Sequence, residues 1–303
     1  MKKLLHLFVA GLFILSSCGG DSHSSEDVNQ INDVSDFDDN QEEIQNEFST
    51  QNPLYLYVAA FTGLNLRSEP STSGSVLGRI EYGNYVELIE STGISFESNG
   101  FQGEWIEVTY EDQKGFLFDG FLLPVEAPGF NPNATLPEYF NEQLYPIDHE
   151  IYQKNINNTG NEQADWVTIN EEDFEIQEES DYKRSRREFA GGFIFYEEIG
   201  WEYHAYKGFF PDMTLQQGFL MARAMYPKFY SGEDCFLDLS TLPYPRENQS
   251  VNKDDIMCEY DIEVGKDEKA RAFIYIGNSM TGYTGIRISE VEGGVEIKNF
   301  FAL

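Results

Sequence analysis

The chain has 303 residues, enough for one large or two modest domains. Hydrophobic residues make up 41% and aromatics 15%, which is ample for a packed core and excludes a wholly disordered chain. The 20 basic residues face 53 acidic ones; the resulting net charge of -33 argues against a nucleic-acid backbone or an anionic bilayer surface as partner and favours a well-solvated acidic surface.

Lys2 and Lys3 precede an apolar run, Leu4 to Leu15. The run is too short to cross a bilayer, which needs about 20 residues. Leu15-Ser16-Ser17-Cys18 follows. This order of charge, apolar run, small residues and cysteine resembles the lipobox of bacterial lipoproteins. The resemblance implies removal of residues 1–17 as a signal peptide, acylation of Cys18 (a palmitate-type anchor) and a place on the bacterial cell envelope, at the outer membrane or cell surface. Residues 18–53 are rich in Asp, Glu, Asn, Gln and Ser and contain no Lys or Arg. They hold too little apolar surface to offset their ordering entropy and are expected to form a disordered acidic tether. The pairs Asp38-Asp39 and Glu42-Glu43 lack a Gly-punctuated calcium loop, so no metal role is expected there.

Short β-type runs begin at Leu54. Leu54 to Val58 is the first. In Leu64-Asn65-Leu66-Arg67 the leucines alternate with polar residues and share one strand face. Ser68 to Gly74 is a turn by composition, Val76 to Ile80 the next strand, Tyr82-Gly83-Asn84 a turn, and Tyr85 to Ile89 a further strand. A longer polar loop, Gly93 to Gly103, leads to the strand Glu104 to Tyr110. Gln113-Lys114-Gly115 then turns into Phe116-Leu117-Phe118, and Gly120 to Pro124 closes the module. Five or so strands in this space predict a small all-β barrel over residues 54–126.

Leu64-Asn65-Leu66-Arg67-Ser68-Glu69-Pro70-Ser71, Val76-Leu77-Gly78, Gly83 before Val86, Trp105-Ile106-Glu107-Val108 and Gly115-Phe116-Leu117 together resemble a bacterial SH3-like (SH3b) domain. Glu69 stands where that family usually has Gly, and Phe116 where it usually has Trp. The resemblance implies a binding module for peptidoglycan or another envelope protein or peptide ligand. A small barrel exposes a groove between its loops, and aromatics offer flat contact area at low entropic cost. Tyr82, Tyr85, Phe96, Phe101 and Tyr110 are the candidate ligand-binding residues, each also able to pack in the barrel. Trp105 reads as core and Arg67 as a salt-bridge partner.

Pro124 to Pro132 marks a boundary, and 127–187 reads as a linker or irregular region with a short helix near Leu136–Leu144. Residues 188–303 read as an α+β domain of unknown function. Gly192 to Phe210 gives two strands around Glu198-Ile199-Gly200, and Thr214 caps a helix ended by Pro227. Ile256–Val264, Ala270–Ile276, Gly285–Val291 and Val295–Leu303 give four consecutive strands, the last two joined at Gly293-Gly294. The fold expectation is therefore mixed: an SH3-like barrel followed by an antiparallel sheet with one main helix.

A cysteine hydrolase would need a thiolate beside an activating His. His149 and His204 both precede Cys235 and Cys258, and Cys235 follows Gly-Glu-Asp, whose acids would raise its pKa. In an exported protein Cys235 and Cys258 are a disulfide candidate; closing a loop of about 22 residues is worth on the order of 3 kcal/mol. Glu197, Glu198, Glu202 and His204 could form a catalytic or metal-binding group but read first as the solvated face of a strand. Lys183 to Arg187 is the one basic cluster, which reads as a solvated loop, with docking on acid elsewhere in the protein or binding of an anionic ligand as alternatives. No catalytic residue, metal site or cofactor is expected. The sequence thus points to an envelope-anchored, non-catalytic binding protein without a nucleic-acid partner. A cell-wall hydrolase in the C-terminal domain and a protein–protein scaffold of the envelope are the alternatives.

Overall fold

The computed structural model describes residues 54–129, 135–161, 164–231, 235–238, 244–245, 258–266, 269–279 and 282–303. Cys18, the signal segment and the acidic stretch before Leu54 lie outside these residues. Seven strands come first: β1 (Tyr55–Val58), β2 (Leu64–Arg67), β3 (Val76–Ile80), β4 (Tyr85–Ser98), β5 (Phe101–Tyr110), β6 (Gln113–Phe118) and β7 (Leu122–Leu123). They pair antiparallel in the order β3-β2-β6-β5-β4-β1-β7 and curl around Val58, Leu66, Ile80, Val86, Ile106, Val108, Leu117 and Leu122. This curled sheet fits the SH3-like barrel expected from the alternation of Leu64 and Leu66 and the spacing of the turns.

The stretch expected as a polar loop, Gly93 to Gly103, is instead a long hairpin. β4 and β5 pair from Glu87↔Thr109 out to Ser98↔Phe101, with irregularities between Leu88 and Glu90 and between Ser91 and Ile94. Asn99 and Gly100 both take positive φ, 52° and 87°, which closes the two-residue turn that suits a right-twisted ribbon. The next hairpin turns at Glu111 and Asp112, again with positive φ, two residues before the expected Gln113-Lys114-Gly115.

The region expected as linker is structured. Thr135 caps α1 (Leu136–Gln143) with Glu138 in a reciprocal capping box, and Pro137 sits in the first turn. β8 (Ile151–Asn155), β9 (Trp166–Ile169) and β10 (Lys183–Glu188) follow. All three belong to the large C-terminal sheet, so that sheet starts well before residue 188. β11 (Ile194–Gly200) and β12 (Tyr203–Pro211) turn at Trp201-Glu202 rather than around Ile199. α2 (Leu215–Met225) is capped as expected: the Gln217 backbone N–H donates to Thr214 Oγ1 at 3.2 Å. After the short pair β13 (Lys228–Ser231) and β14 (Cys235–Asp238) come β15 (Cys258–Val264), β16 (Ala270–Ser279), β17 (Gly282–Val291) and β18 (Gly294–Ala302). The order β15-β16-β17-β18-β12-β11-β10-β8-β9 is antiparallel throughout. The chain is mostly β with two helices.

Residues 52–303 form one compact unit. Its main core runs without a break from the barrel (Ala59, Phe101, Trp105, Phe118, Leu123) through α2 (Phe219, Leu220) to the sheet (Phe273, Ile288, Val295). Two glycines permit the approach of helix to sheet. A Cβ on Gly218 of α2 would lie 2.5 Å from Val295 Cγ1, and one on Gly208 of β12 would lie 2.6 Å from the Phe140 ring of α1. At the other side of α2, Gln216 Oε1 accepts from the Gln102 N–H at 2.9 Å while its Nε2 donates to the Gln102 carbonyl at 2.8 Å. Arg223 lies 5.2 Å from the Phe61 ring centroid and 5.6 Å from that of Phe101.

Because the core is continuous, barrel and sheet are expected to unfold in one calorimetric transition. Phe101→Ala should lower its stability by about 3–5 kcal/mol, the usual cost of emptying a buried phenylalanine site, and should lower the single melting temperature rather than split it.

Candidate functional site

The five barrel aromatics separate into two groups. Phe101 is 1% exposed and sits in the shared core, ringed by Phe121, Phe219 and Tyr244. Phe96 is half-buried against Trp105 and Phe118, at 5.4 and 5.0 Å between centroids. Tyr82 stacks on Phe61 and donates its hydroxyl to the Pro128 carbonyl at 2.7 Å; burial pushes its phenol well above the ordinary value. These three are committed to packing. Tyr110 is half-buried against the barrel core, and its hydroxyl accepts from Asn84 Nδ2 at 3.2 Å. Tyr85, 57% exposed, is the one of the five that faces solvent broadly.

Tyr85 is not alone. Register pairs Tyr57 directly with Tyr85, and the period of a strand puts Tyr55 on the same face. Tyr55 meets Tyr85 edge-on at 5.2 Å and is 42% exposed; Tyr57 tilts against it at 6.1 Å. The outward face of β1 and β4 therefore carries a three-tyrosine patch. Sequence reasoning took β1 only as a strand and passed over Tyr55 and Tyr57, although their period-two spacing was the available signal. Among the described residues Arg67 makes no salt bridge. Its guanidinium donates to the carbonyls of Thr72 and Gly74, both at 2.8 Å, and closes the polar turn after β2.

The basic cluster is a strand, not a loop. Lys183 and Ser185 of β10 point inward; Lys183 is 3% exposed and donates to the carbonyls of Asp173 and Glu175. Asp181 beside it is held below the ordinary carboxylate range, chiefly by Lys154 at 2.5 Å. Arg184 and Arg186 lie on the opposite face. Arg186, Tyr196, Lys207, Lys298 and Arg287 face one another in succession across β10, β11, β12, β18 and β17. Four cations thus occupy five consecutive cross-strand positions. Like charges directly opposite cost stability, and each of the four is compensated by a neighbouring acid. Arg186 pairs with Glu188 at 2.5 Å, Lys207 with Glu296 at 3.3 Å, Lys298 with Glu198 at 2.6 Å, and Arg287 with both oxygens of Glu263. Burial alone would lower the Lys298 ammonium; Glu198 and Tyr203 outweigh it and hold Lys298 above its ordinary value.

This face opens into a cavity of about 480 Å³ lined by Gly160, Asn161, Glu198, Tyr203, Tyr283, Arg287, Lys298 and Phe300. A second cavity, about 490 Å³, lies where the β4–β5 hairpin tip meets the start of α2, with Gln102, Thr214, Tyr244 and Arg271 among its walls. The acid and histidine group noted in the sequence does not converge. Glu198 faces the cavity and takes Lys298. His204 sits on the opposite face of the sheet with Glu197, 2.8 Å from it, and Glu202 belongs to the turn. Among the described residues no group of three or more His, Cys, Asp or Glu is placed to hold a metal ion. Cys235 opens β14 and Cys258 opens β15; their side chains, and with them the disulfide candidate, lie outside the described residues.

The Lys298–Glu198 pair is mostly buried, with 17% and 10% of the side chains exposed. Lys298→Met alone strands a buried carboxylate and should cost about 3–5 kcal/mol in denaturant unfolding, whereas Lys298→Met with Glu198→Gln should recover most of that loss.

No characterised protein and no solved structure matches the chain. The C-terminal part is recognised by no family. Residues 62–122, from just before β2 to the start of β7, match the bacterial SH3 domain, and the chain carries that domain there.

Proposed function

We propose that the protein is an envelope-anchored, non-catalytic binding protein whose SH3 domain grips a cell-wall ligand. The observation that carries this reading is the bacterial SH3 domain at residues 62–122, a kind of module that suggests cell-wall or surface binding. The three-tyrosine patch on β1 and β4 supplies its contact surface: two of the rings are broadly exposed, and Tyr85 packs against both of the others. Tyrosine combines a flat apolar ring with a hydroxyl donor and loses little entropy on binding. Such a surface suits a short peptide or a sugar–peptide polymer better than a bare anion. The leader through Cys18 would hold the module at the envelope, where such polymers are found.

The test uses the full chain, because the barrel shares its core with α2. Protein incubated with purified peptidoglycan should be retained at moderate salt and should release no soluble muropeptides. Tyr85→Ala should weaken retention about tenfold, equivalent to about 1.4 kcal/mol, while thermal stability stays near wild type. No retention of the wild-type chain would overturn the reading, and steady release of fragments would replace it with the hydrolase. For the anchor, cells fed a labelled fatty acid should label the wild-type chain and leave Cys18→Ser unlabelled, with the variant leaving the membrane fraction.

A further inference from the structure

We infer that the open face of the nine-stranded sheet is a second binding site, a trough for a carboxylated polysaccharide, independent of the SH3 domain. The first observation is the concentration of cations. In a chain of net charge -33, five of the 20 basic residues stand together on this face: Arg184, Arg186, Lys207, Lys298 and Arg287. The four in the cross-strand row are fixed in place by their own acids.

Arg184 is different. Its Nε donates to Gln153 at 2.8 Å, and its guanidinium lies 4.2 Å over Trp166 and 5.2 Å from Tyr196. Among the described residues no carboxylate lies within ion-pair distance of it, for Glu198, its cross-strand neighbour, is taken by Lys298. A half-buried guanidinium held over two rings offers a planar fork of N–H donors that suits a carboxylate. Burial pulls its pKa below the ordinary arginine value, against Tyr196 and Glu198, which raise it.

The second observation is the company the cations keep. Tyr203, Tyr283 and Phe300 line the cavity, and Trp201, 53% exposed, stands at the turn beside it. Flat rings next to fixed polar donors match a ligand that has a C–H face and a rim of hydroxyls, which is the chemistry of a pyranose. The geometry also argues against an acidic peptide. Capture by main-chain pairing needs a free sheet edge, and these strands are already paired on both sides; an acidic chain held by the arginines alone is the case that the poly-L-glutamate arm below tests. The row from Arg186 to Arg287 crosses four strand spacings, roughly 19 Å at about 4.8 Å each; Lys207 at its middle is buried, so contact would fall to the more exposed Arg186 and Arg287 and to the rings beside them.

The experiment measures binding of the full chain to polygalacturonate, with neutral dextran and poly-L-glutamate as the other arms. Polygalacturonate should bind, weaken as salt rises and outbind both controls by at least tenfold. Arg184→Gln and, separately, the exposed Tyr283→Ala should each weaken it by about tenfold with circular dichroism unchanged. Tyr85→Ala in the SH3 domain should leave it as in wild type, which keeps this site distinct from the peptidoglycan reading. The inference fails if polygalacturonate does not bind, if neither Arg184→Gln nor Tyr283→Ala affects binding, or if poly-L-glutamate binds as tightly.

Discussion

The seat of α2 between two surfaces is the constraint on which residues 52–303 depend. On one side Gly218 lets the helix backbone lie against Val295 and Ile288, where any side chain would collide. On the other side Phe219 and Arg223 meet Phe101, and Gln216 satisfies both main-chain groups of Gln102. The Gln216 contact matters because the tip of a hairpin leaves backbone donors and acceptors without ladder partners. A side-chain amide that matches one residue's N–H and C=O fixes position as well as energy. The hydrophobic part of the contact then acts on a geometry already set. A module joined to its neighbour through a shared apolar core does not behave as a bead on a string.

That seat decides which barrel residues are free to bind. The β4–β5 hairpin carries Phe101 into the shared core, and Phe96 follows it against Trp105 and Phe118. Tyr82 is tied to Pro128 at the exit of the barrel. The aromatic surface left over is on the outward face of the β1–β4 ribbon, where Tyr85 braces Tyr55 and Tyr57 and Tyr57 also packs against the shared core. Mutual bracing reduces the rotamer freedom that each ring would otherwise lose on contact with a ligand.

The parts of this arrangement that were legible in the sequence are those fixed by local chemistry. Thr214 before an apolar helical pattern and Pro227 after it defined α2, and the Gly293-Gly294 turn defined the last hairpin. The alternation at Leu64 and Leu66 located the barrel. Strand β10 was hidden because Lys183-Arg184-Ser185-Arg186-Arg187 looks like a solvated loop; only the rings of β9 and β11 and the nearby acids Glu150, Asp181 and Glu188 make it tolerable inside a sheet. The β4–β5 hairpin did announce itself through Asn99-Gly100, but the polar residues Ser91, Thr92, Glu97 and Ser98 masked the alternation of Ile94 and Phe96. Burial of Phe101 and Tyr82 was out of reach, because it depends on what packs against the barrel from outside it. The cation row was out of reach for a related reason. It exists only because β12 pairs with β18, a strand some ninety residues away.

The row has no ready explanation in stability. Replacing buried or half-buried ion pairs by apolar side chains of similar size is usually neutral or stabilising, since desolvation of two charges offsets most of their attraction. Lys207, Lys298 and Arg287, set directly opposite one another, add repulsion that their acids must first cancel. A sheet selected only to stay folded would place Val or Ile at these positions, as it does on the other face at Val295, Ile297, Ile286 and Ile288. The net charge of -33 does not impose the cations either, because surface charge is felt over about one Debye length, near 8 Å, and most of the acids lie elsewhere on the chain. What distinguishes the face is a row of acid-paired cations, one guanidinium with no carboxylate at ion-pair distance among the described residues, and aromatic rings beside a cavity. Stability alone does not call for that combination, whereas contact with a ligand would use each part of it.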